Sequence, residues 1–214
     1  YDDVSDVHFS PDSKRLAHAK GYVEGYYTRK QAGKKAAVVK TFGDYRELLQ
    51  SPGIDAVAVS TSEHWHAQLV VAAALAGKDV YVQKPLTLTL TEGRLVSDTV
   101  CAQKSIFQIG SQQRSSPQFR LACELVLNHR LGKLHTIEIG LPTDPPGGDP
   151  TPQPVPPNLN YEMWLGCTPQ EPYCEDRVHS QERITSRPGW LRIESYCLGM
   201  ITGWGSHHVD IAQW

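Results

Sequence analysis

Short apolar runs of strand length alternate along the first half of this chain with longer segments of helical spacing. Residues 1–9 read as a strand ending near Asp6. Ser10-Pro11-Asp12 then opens a helix from Ser13 to Lys30, with proline in the first turn and Ser or Asp as cap. Ala36–Lys40 is a short β-branched run, and Asp44 caps a helix over Tyr45–Gln50 that Pro52-Gly53 ends. Asp55–Ser60 is continuously apolar, as a parallel strand covered on both faces should be. His64–Ala76 reads as a helix with Gly77 at its C′ position, Asp79–Gln83 as a strand, Thr91–Gln103 as a Thr-capped helix and Ser105–Ile109 as a further strand. The alternation βαβαβαβ predicts an α/β fold with one doubly wound parallel sheet.

After Gly110 the texture changes. Pro117–Leu127 has helical spacing and Leu134–Ile139 alternates like a strand. The Pro-rich, Gly-containing run Pro142–Pro157 reads as a long loop. Tyr161–Gly166 and Trp190 open a second, substrate-facing region. The expected division is an α/β part over 1–113 and a second part over 114–214, which the resemblance named below makes the NAD(P)-binding and the substrate part.

Net charge narrows the partners. At −2, with a mean hydropathy of −0.39, the chain offers no electrostatic footprint for nucleic acid or an anionic membrane. No run approaches the roughly 18 apolar residues of a membrane span. A small, weakly charged ligand is the natural partner. The five cysteines (Cys101, Cys123, Cys167, Cys174, Cys197) are odd in number, scattered and free of C-x-x-C pairs, which disfavours a disulfide scaffold and a zinc site. The chain opens on a strand already under way and stops soon after a His-rich motif, so it reads as truncated at both ends. It is expected to be inactive by itself, and the compartment, cytoplasmic or exported, stays open.

Candidate chemistry gathers at strand ends. The loop Ser60-Thr61-Ser62-Glu63-His64-Trp65-His66 follows one strand and Gln83-Lys84-Pro85 ends the next, so His66 and Lys84 should face one crevice beyond the carboxyl ends. Further on come Gly110-Ser111-Gln112-Gln113-Arg114, Trp164-Leu165-Gly166 and His207-His208-Val209-Asp210, the last approached through glycines between Gly199 and Gly205. Adjacent histidines on a helix point apart and rarely share one metal ion, so no metal is expected.

These five segments, in this order, resemble the Gfo/Idh/MocA family of nicotinamide-dependent sugar oxidoreductases, whose T-P-x-x-x-H and E-K-P signatures appear here as T-S-E-H-W-H and Q-K-P. The resemblance implies a Rossmann-like parallel sheet lacking its first strand, followed by the start of an α+β substrate domain. It makes Lys84 and His207 the catalytic pair, His207 as acid/base and Lys84 beside nicotinamide and substrate. Asp6, Thr61, Ser62, His66, Gln83, Lys84, Pro85 and Gln112 would bind the cofactor, with Asp6 on the adenosine ribose favouring NAD over a still possible NADP. Lys84, Trp164, His207 and Asp210 would contact a sugar or polyol, and Arg114 would hold the domain interface. Core packing by Trp164 and an ordinary helix-face His66 are the plain alternatives. Three features depart from the family pattern: Gln83 replaces a glutamate, Gly203 stands where an aspartate is usual, and no G-x-G-x-x-G occurs in the chain. The resemblance therefore implies hydride transfer on a sugar or polyol by a protein that is homo-oligomeric when intact. An NAD-dependent glycosidase or a non-catalytic dinucleotide- and sugar-binding relative are the alternatives.

Overall fold

The computed structural model describes residues 7–30, 39–144, 148–183 and 186–214. Asp6 and most of the Ala36–Lys40 run lie outside these. The elements of the first half are β1 (Val7–Phe9), α1 (Ser13–Lys30), β2 (Lys40–Phe42), α2 (Tyr45–Gln50), β3 (Ala56–Val59), α3 (His66–Leu75), β4 (Asp79–Gln83), α4 (Leu90–Gln103) and β5 (Phe107–Gly110). A 3-10 turn, Glu63–Trp65, leads into α3. Local chemistry explains most boundaries. Asp12 accepts the Lys14 and Arg15 amides at 2.9 and 3.3 Å, so it is the aspartate that caps α1. Asp44 caps α2 through the Arg46 amide at 2.8 Å. Gly77 takes a φ of 72° just beyond α3, where a Cβ would be strained.

The strands are parallel throughout, but they form two sheets rather than the single one expected. β1 pairs with β2, and β3-β4-β5 form a second sheet in which Val57 faces Val80 and Val82 faces Ile109. His8 and Phe9 of β1 and Val57 and Val59 of β3 line one cavity of about 620 Å³ between the sheets. The order β2-β1, break, β3-β4-β5 places that break where a doubly wound 3-2-1-4-5-6 sheet has its first strand. Helix α3 packs between β4 and α4. Val70, Ala73 and Ala74 meet Val80, Val82, Val96 and Val100 in a dry core. The apolar run of α3 follows from this position, since it is covered on more than one side.

Beyond β5 come a 3-10 turn at Gln112–Ser115, α5 (Pro117–Leu127), α6 (Tyr161–Leu165), α7 (Gly199–Gly203) and α8 (Gly205–Gln213). The alternating Leu134–Ile139 stretch is not a strand. It lies exposed and unpaired, and a strand exists only through a ladder partner. Among the described residues past Gly110 the one β contact is an isolated antiparallel bridge, Asp12 to Leu159. A second core gathers Leu159, Trp164, Leu165, Tyr173, Val178 and Tyr196. The start of α1 docks on it: Asp12 carries a buried hydrogen-bonded pair with His179 at 2.9 Å and accepts Asn158 Nδ2 at 2.9 Å. No helix among the described residues is long and apolar enough to cross a membrane.

Candidate active site

The site is built on the carboxyl end of β4. Val80 and Val82 point into the core, which sends Gln83 and Lys84 to the strand mouth. The Lys84–Pro85 peptide is cis. Lys84 Nζ donates to the Gly203 carbonyl at 2.9 Å, across 119 residues, so a lysine from the sheet meets the end of α7. Gln83 turns its amide oxygen to the Lys84 N–H at 3.3 Å. Gly110, opposite Gln83 in the β4–β5 register, has to be small. A Cβ there would stand 2.7 Å from the Tyr81 hydroxyl and 3.1 Å from Gln83 Oε1.

The loop after β3 is buried through four consecutive residues, Glu63, His64, Trp65 and His66. His66 donates from Nδ1 to the Pro85 carbonyl at 2.7 Å, and its Nε2 stands 3.2 Å from the Thr61 carbonyl. It thus clamps the mouth of β3 to the mouth of β4. Burial lowers its pKa against the pull of both carbonyls, and the Lys84 charge lowers it further. Thr61 and Ser62 remain partly exposed ahead of the clamp, with Thr61 Oγ1 donating to the Ser62 carbonyl at 3.2 Å. His64 Nε2 and Trp65 Nε1 both reach the Trp164 carbonyl, at 2.9 and 3.0 Å, satisfying an orphan acceptor in the last turn of α6. Burial holds His64 neutral, its pKa down to about 4. Gly166 takes a φ of 58°, and a Cβ on it would stand 2.5 Å from Trp65 Cζ2, which accounts for the glycine of W-L-G.

The other wall comes from α8. His207 is buried, and Gln112 Nε2 faces its Nε2 at 3.3 Å. Burial lowers the His207 pKa, with Lys84 and His208 pushing the same way and Asp210 opposing. A ring nitrogen kept unprotonated near neutral pH can accept a proton. Asp210 is gripped by Arg114, with Nε to Oδ2 at 2.7 Å and Nη2 to Oδ1 at 2.9 Å. That pair joins the turn after β5 to α8.

Lys84, Gln112 and His207 thus converge from three elements, while Thr61, Ser62, His66, Gln83 and Pro85 cluster at the neighbouring strand mouths. Trp164 stands apart, its ring packed at 4.9 Å from Tyr196 and 5.3 Å from His64 in the second core. Asp210 turns toward Arg114. Two features escaped the sequence reading: the Gly203 carbonyl as acceptor for Lys84, and Glu63. Glu63 is buried, and burial pushes its carboxyl up to about 7 against the opposing pulls of a hydrogen bond with Cys197 and of the Lys84 charge. An acidic residue inside an otherwise His/Trp-rich, buried segment was the signal that could have found it.

Residues 9–111 match the profile described as an oxidoreductase family NAD-binding Rossmann fold, and residues 148–214 match the profile of an oxidoreductase family C-terminal alpha/beta domain. The chain is 35% identical over 122 residues to myo-inositol 2-dehydrogenase of Thermotoga maritima, a match covering 56% of this chain and 34% of that protein. It is 34% identical over 103 residues to scyllo-inositol 2-dehydrogenase (NAD(+)) of Bacillus subtilis, covering 48% and 30%. A probable dehydrogenase from Thermotoga maritima superposes with a TM-score of 0.48 at 28% identity, over 61% of this chain and 36% of that one. The matched segments span about a third of the length of these relatives. Both profiles belong to one family and follow in order, with the strand-mouth lysine and the α8 histidine brought together between them, and the chain belongs to the Gfo/Idh/MocA oxidoreductase family.

Proposed function

We propose that this chain carries the reacting side chains of an NAD(P)-dependent oxidoreductase that moves a hydride between a carbinol carbon of a sugar or polyol and nicotinamide. The observation that carries the reading is the convergence of Lys84 and His207, which stand 123 positions apart (207 minus 84): Lys84 bonds the Gly203 carbonyl just before α8, Gln112 meets His207 on α8, and the Lys84 charge acts on His207. The inositol dehydrogenases among its relatives support a polyol substrate. The donor set suits a nicotinamide. Lys84 has three N–H bonds, of which the Gly203 carbonyl takes one, and the Gln112 amide complements a carboxamide. Thr61, Ser62, Gln83, Lys84, Pro85 and Gln112 would hold that end of the cofactor, His66 would fix the loop, and Asp6 would take the adenosine ribose. In this reading residues 1–113 form the cofactor part and 114–214 the substrate part, a division supported by the two profile matches.

The bound cofactor supplies the hydride acceptor. His207, unprotonated near neutrality, takes the hydroxyl proton at Nε2, where the substrate hydroxyl would displace the Gln112 amide that donates to that nitrogen here. The Lys84 ammonium stabilises the negative charge growing on the substrate oxygen. The Arg114–Asp210 pair holds α8, and hence His207, against the turn after β5.

The test is NADH formation with inositols and simple sugars. His207→Ala should lower turnover about 10²- to 10⁴-fold while NADH fluorescence still reports binding. Turnover unaffected by loss of His207 overturns the mechanism. Saturable NADH binding without turnover on any polyol would replace the reaction by a binding function.

A further inference from the structure

We propose that Gln112 is a positioning residue that sets the tautomer of His207, keeping Nε2 bare with the ring proton on Nδ1 and capping that nitrogen until a hydroxyl takes its place. The proposal rests on the oxidoreductase reading above and deepens it. The Gln112 amide nitrogen lies 3.3 Å from His207 Nε2. An amide nitrogen carries two N–H groups and accepts nothing, whereas each nitrogen of a neutral imidazole either donates or accepts. The contact is a hydrogen bond only if Nε2 accepts, which puts the proton on Nδ1. The partner of one ring nitrogen thus decides the state of both.

The pairing is held at further points. Arg114, two residues after Gln112 in the same turn, grips Asp210, three residues after His207 and so one turn further along α8. The Arg114 guanidinium also lies 5.1 Å from the centre of the Trp214 ring, just past that helix. From α5, the Cys123 thiol donates to the Ile211 carbonyl at 3.9 Å. The turn after β5 and α8 are therefore fastened to each other on either side of the amide, and His207 itself is buried. Such a frame fixes which nitrogen the amide meets.

No other side chain makes that choice. Among the described residues no carboxylate hydrogen-bonds His207, since Asp210 is taken by Arg114. Lys84 from β4 and the neighbouring His208 act on the ring through charge, Asp210 opposes them, and Trp204 packs against it at 6.1 Å. Gln112 works in the same direction as Lys84, because an imidazolium would set N–H against N–H. The base is thereby prepared before substrate arrives. An incoming hydroxyl exchanges an N–H···N bond for an O–H···N bond at the same nitrogen, with no proton to move within the ring.

Nitrogen NMR of the whole chain labelled in its histidine rings tests this, because it reads the tautomer directly and needs neither cofactor nor substrate. The His207 signals are those missing from His207→Ala. Above its midpoint His207 should carry its proton on Nδ1. In Gln112→Glu the new carboxylate favours a donor at Nε2, so the proton should move there and the midpoint should rise by about 1 unit. In Gln112→Ala the preference for Nδ1–H should be lost. Gln112 is exposed, so neither substitution disturbs a core. A parent ring protonated on Nε2 overturns the proposal, as does a tautomer that neither substitution alters. Absence of NADH turnover on any polyol would defeat the oxidoreductase reading while leaving the tautomer result intact, so the two failures are distinguishable. Where turnover is present, the acidic limb of the kcat/KM profile should move upward in Gln112→Glu together with the His207 midpoint.

Discussion

Glu63 and His64 are neighbours whose burial acts on stability in opposite directions. The Glu63 carboxyl titrates at about 7 in the fold instead of the usual 4.5, so its contribution is complete below pH 4.5 and is lost as pH rises through 7. His64 falls from 6.5 to about 4, so its contribution is complete above pH 6.5 and is lost as pH falls toward 4. Each swing amounts to about 3 kcal/mol at 1.36 kcal/mol per unit, and the two windows overlap almost fully. Between pH 4.5 and 6.5 they nearly cancel. Glu63→Gln removes one side of that balance. The melting temperature of the variant relative to the parent should therefore be unchanged at pH 4 and highest at pH 8. A difference independent of pH would show that Glu63 ionises normally. At this scale the sequence singled out His66, Lys84, Gln112 and His207, because each sits in a spaced motif, and the structure brings them to neighbouring strand mouths and α8. It hid Glu63, since its burial is a matter of tertiary packing and Cys197 approaches it from 134 positions away (197 minus 63).

Elements were legible where their ends are written locally. Helix α5 follows the spacing from Pro117 to Leu127 because proline at its first position pre-sets the backbone. Helix α4 begins one residue before the predicted Thr91, capped by Thr89. The Thr89 side chain accepts the Glu92 amide at 3.1 Å, and Glu92 returns a bond to the Thr89 amide at 2.9 Å. This capping box lies on the surface and touches neither core. Thr89→Ala should cost about 1 kcal/mol in urea unfolding, with NADH binding untouched. A cost near zero would mean that Glu92 alone carries the start of the helix. The stretch Leu134–Ile139 failed as a strand for the opposite reason. Its alternation is local, but a ladder needs a second strand, and none of the described residues supplies one.

The whole molecule joins two cores through a handful of polar contacts. The Trp164 carbonyl receives His64 and Trp65, Asp12 pairs with His179, and Arg114 pairs with Asp210. Leu165, almost wholly buried beside Trp164, tests whether the second core is part of the same folding unit. Leu165→Ala should cost about 2–5 kcal/mol and leave one cooperative transition. Two separated transitions would show that the cores melt independently. The division of strands into β1–β2 and β3–β4–β5 also belongs to this scale, because pairing across the 620 Å³ cavity depends on what lies between the edges and not on either edge's own residues. The sequence by itself determined the helices, the parallel strands, the family and the positions of Lys84 and His207, because capping, periodicity and motif spacing act over a few residues. Only the tertiary structure decided that Lys84 ends on the Gly203 carbonyl, that Arg114 claims Asp210, that Trp164 is core, and that Glu63 lies buried within the field of Lys84. Hydrogen bonds and desolvation are set by neighbours in space, and in this chain those neighbours come from opposite ends.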